Sequence, residues 1–185
     1  LSGALSDGEA AYADRAMDGV KFARDNVGLR FERELAGTHL QAIEAQAYYN
    51  YVDHVMDNYS LREFAPSTTM PFQSVSNPDR ETTGGRFTAD LAFGERITAT
   101  VGVDLQENRH TLRSTMNESM MPYEAMQRAE DGRFRNAGVF GELTLQAGPS
   151  GRVITGLRVD DWYAKDSREM LQSFEGVSRG CAPCS

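Results

Sequence analysis

From Ile97 to Leu105 the chain alternates: Ile97, Ala99, Val101, Val103 and Leu105 interleave with Thr98, Thr100, Gly102 and Asp104. A period of two is that of a strand with one apolar face. Phe87, Ala89, Leu91 and Phe93 repeat the pattern upstream. Gly94-Glu95-Arg96 separates the two runs, so they form a tightly turned hairpin. A second hairpin runs from Ala137, Val139, Leu143 and Leu145 through Gly148-Pro149-Ser150-Gly151 into Val153–Val159, with Phe140 out of phase. A third joins Val27, Leu29 and Phe31, through a turn at Ala36-Gly37, to Ile43, Ala45, Ala47, Tyr49 and Tyr51. The expectation is an all-β chain of about six strands in antiparallel up-and-down hairpins.

The connections between hairpins differ from the turns within them. Segments 52–80 and 107–135 are rich in Ser, Thr, Asn, Asp, Pro and Met and read as long loops. Connections of that length are unusual in compact domains, where the median is about 4–6 residues. Short turns at one end and long loops at the other are the asymmetry of a transmembrane β-barrel. One face of each strand is apolar; the other carries Glu44, Gln46, Asn50, Asp90, Thr98, Thr100, Asp104, Glu142 and Thr144. That face meets bulk water in a soluble sheet and a wet lumen in a barrel, and the pattern alone fits both. Tyr48, Tyr49, Tyr51, Phe93, Phe134 and Trp162 fall near the expected strand ends, where an interfacial aromatic girdle would lie. About six strands are fewer than the roughly 8 a barrel needs, so a membrane reading makes this a partial wall.

Composition changes this picture little. A hydrophobic content of 40% suits a soluble protein or a barrel equally. No run approaches the roughly 18 apolar residues of a membrane helix. A net charge of −8 without clustered Lys and Arg argues against nucleic acid. Nothing in the chain supports an enzyme: there is no Gly-rich phosphate loop, Gly-x-Ser-x-Gly or His-Glu-x-x-His. Cys181 and Cys184 form a Cys-x-x-Cys pair without the βαβ setting of a redox motif or a second zinc-ligand pair, and read as part of a tail, 166–185. Segment 1–15 reads as loop.

Four stretches resemble a known family: Met17-Asp18-Gly19-Val20-Lys21-Phe22 with Val27–Phe31, Tyr48–Tyr51 with Asp53-His54-Val55-Met56-Asp57-Asn58, Asn77-Pro78-Asp79-Arg80, and Phe134–Leu143. Between Ala16 and Lys165 they are similar to the barrel of TonB-dependent copper receptors of bacterial outer membranes. The Pro-Asp-Arg and Asn-x-Gly-Val-Phe-Gly-Glu pieces specify the wider superfamily, and His-Val-Met-Asp-Asn the copper branch. The resemblance implies a slice of a barrel of about 22 strands, set in outer-membrane lipid and energised by TonB through a plug outside this sequence. It further implies Met17, His54 and Met56 as barrel-side ligands for copper, the transported ion.

Thioether and imidazole are sensible copper donors. His54 and Met56, two apart on a strand, share a face with Glu44, Gln46, Tyr48 and Asn50, the polar set. A two-residue turn at Ala36-Gly37 puts Met17 directly opposite Met56. The odd-numbered apolar sets on both strands, however, demand a shifted register, from a longer turn or a bulge, and Asp18-Gly19 is a place for such a bulge. His39 reads as structural. His110 with Met116, Met120, Met121 and Met126 forms a second soft-donor group in the loop at 107–135, and Met70 a lone one in the other loop. Two rival readings are a TonB-dependent receptor for another substrate, such as an iron chelate, and a soluble antiparallel β-protein binding a small ligand.

Overall fold

A computed structural model describes residues 1–37 and 39–168. Seven strands, β1 (Ser2–Ser6), β2 (Asp18–Glu34), β3 (Leu40–Asp57), β4 (Val75–Phe93), β5 (Ile97–Thr115), β6 (Ala129–Gln146) and β7 (Arg152–Asp166), form one sheet in sequence order. Every pairing is antiparallel, and the sheet is open. The three anticipated hairpins are β2–β3, β4–β5 and β6–β7. Their strands are longer than the alternation suggested, so the two long connections shrink to 58–74 and 116–128. Segment 1–15, read as loop, contains β1, which pairs its five residues with Arg24–Gly28 of β2. Cys181 and Cys184 lie outside the described residues.

The register keeps one parity across six strands. Phe31, Ala45, Phe87, Val103, Val139 and Val159 are successive cross-strand partners on one face. Arg30, Gln46, Arg86, Asp104, Gly138 and Asp160 do the same on the other. The apolar face therefore forms a continuous band. Along β6 it runs from Leu145 to Ala137, about 27 Å of strand at roughly 3.4 Å per residue. A barrel tilt of about 40° reduces that to about 20 Å, close to the height of a lipid-facing band. Above it the same face turns charged, in the row Asp25, Tyr51, Glu81, Arg109, Arg133 and Lys165.

Phe140, out of phase as an apolar residue, stands on the polar face opposite Gly102. Its ring lies over that glycine, where a Cβ would collide with it, and the Arg86 and Arg158 guanidinium carbons sit 4.7 and 5.8 Å from the ring centroid. Tyr48 covers Gly84 in the same way. An aromatic laid on a cross-strand glycine shields backbone that a missing side chain leaves bare. Of the aromatics assigned to a girdle, only Tyr49 and Phe93 bound the apolar band. Tyr51 stands on the same face one row above it. Tyr48, Phe134 and Trp162 are on the polar face, and Tyr163 shares a row with Tyr49.

Candidate functional site

Above the band the ends of β2 to β6 and the two long connections make a rim. Asp53 and Asp79 stand directly opposite each other on neighbouring strands, an arrangement that like charges disfavour. Arg128, at the end of the β5–β6 connection, forks between them at 3.3 and 3.0 Å. Lys21 reaches Asp53 at 2.9 Å, Asn77 donates to Asp53 at 2.6 Å, and the Tyr51 hydroxyl donates to Asp79 at 2.9 Å. Burial pushes the Asp53 carboxyl up, but the donors from Lys21 and Asn77 bring it below the usual carboxylate range. Burial and the Asp79 carboxylate push the Tyr51 phenol up to about 12.

A second clamp ties the β3–β4 connection to the chain leading into β2. Arg62 donates through Nε to Asp18 at 2.6 Å, through Nη1 to the Arg15 carbonyl at 2.7 Å and through Nη2 to the Tyr12 carbonyl at 2.8 Å. Asp18 is 1% exposed, and the Arg62 guanidinium holds its carboxyl at about 2. The two connections also hold each other: the Glu118 amide donates to the Gln73 carbonyl at 2.8 Å.

The three residues singled out as soft donors all belong to this rim. Met17 is half-buried immediately before β2, and His54 and Met56 are half-buried near the end of β3. Leu29 pairs with Ala47, so the parity of the apolar sets does set the register, and a bulge between Gly19 and Lys21 shifts it. Consequently Met56 faces Gly19, and the direct opposition of Met17 and Met56 given by a two-residue turn does not hold. Asp18 pairs with Asp57. Met17 lies one residue before β2, in a bend, where strand alternation does not assign its side chain to either face.

Phe22 is the cross-strand partner of His54, and their rings stack with centroids 4.2 Å apart at 26°. The Phe22 amide donates to Asp7 Oδ1 at 3.2 Å. It therefore points away from β3, which makes Phe22 and His54 a non-hydrogen-bonded pair, the closer of the two kinds. His54 Nε2 is buried, and among the described residues it has no hydrogen-bond partner. Burial pushes the imidazole below its ordinary value, which favours the neutral ring, the form that can offer a lone pair to a metal. Sequence reading missed Phe22, whose only signal was its place three residues after a glycine.

Other candidates sort differently. His39 Nδ1 lies 3.3 Å from the Ala92 carbonyl and its ring stacks on Phe93, a structural setting. His110 Nε2 accepts from Arg80 Nε at 2.7 Å, so that nitrogen is engaged. Met116, Met120, Met121 and Met126 are exposed on the β5–β6 connection, and Met70 Sδ lies 3.9 Å from Asn58 Nδ2. On the polar face below, Glu44 pairs with Arg30 at 2.8 Å, Gln46 donates to Glu44, and Asn50 accepts from Arg24 at 2.6 Å. Among the described residues no three His, Cys, Asp or Glu side chains group as a metal site.

Comparison with known proteins agrees with this architecture. No curated protein matches the chain. A solved structure of the copper transporter OprC superposes with a TM-score of 0.79 at 40% sequence identity, covering 90% of this chain and 26% of that one. The chain thus spans about a quarter of that protein's length. The family model described as TonB dependent receptor-like, beta-barrel matches residues 2–178, and the chain belongs to that family.

Proposed function

We propose that this chain is a wall-and-rim segment of an outer-membrane receptor that takes up copper through a TonB-driven cycle. In this reading the apolar band faces lipid, the polar face lines the lumen, and the rim faces the outside. Met17, His54 and Met56 offer copper two thioethers and an imidazole.

The observation that carries the reading is His54 Nε2, a buried nitrogen with no partner among the described residues, on the same face as Met56. Buried polar atoms are almost always satisfied, and an orphan suggests a missing ligand. Imidazole and thioether together suit copper, and the likeness to the copper transporter OprC supports the choice of cargo. Nothing in the arrangement requires bond-breaking chemistry, and the segment acts by binding and release.

The test is a copper titration of the intact receptor carrying this segment. His54→Ala and Met56→Ala are each expected to weaken binding by at least tenfold while the barrel stays folded. Unchanged copper affinity in both variants would overturn the reading and favour a receptor for another cargo, such as an iron chelate.

A further inference from the structure

His54 Nε2 does more than lack a partner; it is aimed. The atom lies 3.4 Å from the point where a Cβ on Gly19 would stand. Gly19 is the cross-strand partner of Met56. The imidazole nitrogen therefore stands beside the glycine that pairs with Met56. What holds the ring in that direction is Phe22. Its ring packs flat on the imidazole at 4.2 Å, and its far edge, Cε2 and Cζ, overlies Gly19 where a Cβ would otherwise be. The bulge between Gly19 and Lys21 makes this possible, because it brings Gly19 and Phe22, three apart in sequence, onto one face.

We infer that Phe22 is a positioning residue for copper: it fixes the His54 ring with Nε2 turned toward Gly19 and Met56 and keeps water off that nitrogen, and Gly19 is required because the Phe22 ring lies on it. The inference rests on the copper reading given above. Neither residue donates an electron pair to the metal. Their effect is to spare the ring the loss of orientational freedom on binding, as the partners behind metal-bound histidines do, where removal costs roughly 10–100-fold in affinity.

The experiment uses the intact receptor and Cu(I), titrated in competition with a chromogenic chelator. His54→Ala serves as the control for the copper reading. Phe22→Leu, which keeps apolar bulk without a flat ring, is expected to weaken binding about tenfold, and Phe22→Tyr to restore it. Gly19→Ala is expected to weaken binding similarly by pushing the ring off. In a Phe22→Ala background the added methyl has no ring to displace, and the same substitution is expected to cost little more. Loss in His54→Ala with unchanged or tighter binding in Phe22→Leu overturns this inference alone. Full additivity of Gly19→Ala and Phe22→Ala does the same. Unchanged binding in His54→Ala overturns both this inference and the copper reading.

Discussion

In the wall, Leu29, Val139 and Leu157 stand 58, 61 and 75% exposed, whereas in the rim Asp18, Ser74 and Asn77 are sealed to 2% or less. The same strands thus follow opposite rules at their two ends. Wall strands bury almost nothing within the sheet: among the described residues only Val55 and Val75 are buried hydrophobics, and both sit at the rim. A water-soluble domain puts apolar groups in and polar groups out. Here the wall depends on an apolar solvent to cover its band, and the rim supplies its own interior from ion pairs and amides. Stability in the wall is a matter of solvent, and in the rim a matter of partners.

The largest way to break the contrast is to charge the band. Val103 lies mid-band in the row of Phe87 and Val139, so Val103→Arg is expected to destabilise the inserted barrel by about 2–4 kcal/mol. Thr88→Arg, on the polar face one position from Phe87, is expected to change little. Urea titration of the intact receptor in lipid vesicles measures both. Equal costs at the two positions would mean that the faces had been assigned wrongly.

A smaller effect belongs to the rim. Arg128→Met leaves Asp53 and Asp79 facing each other without their shared cation, at a cost of about 1–3 kcal/mol after allowance for partial exposure. Only the rim should loosen. Limited proteolysis is expected to cut within 116–128 in this variant while the wall strands stay protected, and wild-type resistance there would sink the idea.

The smallest effect is a dependence on pH. Asp18 has its folded pKa lowered to about 2, below the ordinary carboxylate value near 4. Its pairing with Arg62 therefore adds stability above the ordinary value and loses it as pH falls through about 2. Acidification from pH 5 to 2 should release the β3–β4 connection, read as a lower protection factor for the Tyr12 amide, which donates to Asp18 at 2.7 Å. In Asp18→Asn that acid-induced release should disappear.

How much of this was legible in the sequence follows from the same contrast. Strict alternation marks Phe87–Phe93 and Ile97–Leu105 because one face of the sheet is apolar and the other polar along this stretch. Above the band both faces are polar, so Asp79, Arg80, Arg109 and His110 read as loop although they belong to β4 and β5. β1, Ser-Gly-Ala-Leu-Ser, carries too few apolar residues to show a period. Parity of the apolar sets was enough to require a shifted register, but not to say whether a longer turn or a bulge supplies it; the structure has both, a turn longer than two residues and a bulge between Gly19 and Lys21. The ring of Phe22 over that glycine was hidden, because stacking depends on which partner the bulge delivers. Arg128 was invisible for another reason: Asp53 lies 75 residues away in sequence, and no local pattern links them.

The rings of Tyr48 and Phe140, pressed onto Gly84 and Gly102, also set the relief of the polar face. A large side chain standing upright there would project from the sheet, whereas one lying over a glycine adds only its own thickness. The wall thereby obtains an aromatic covering at two heights without a ridge at either.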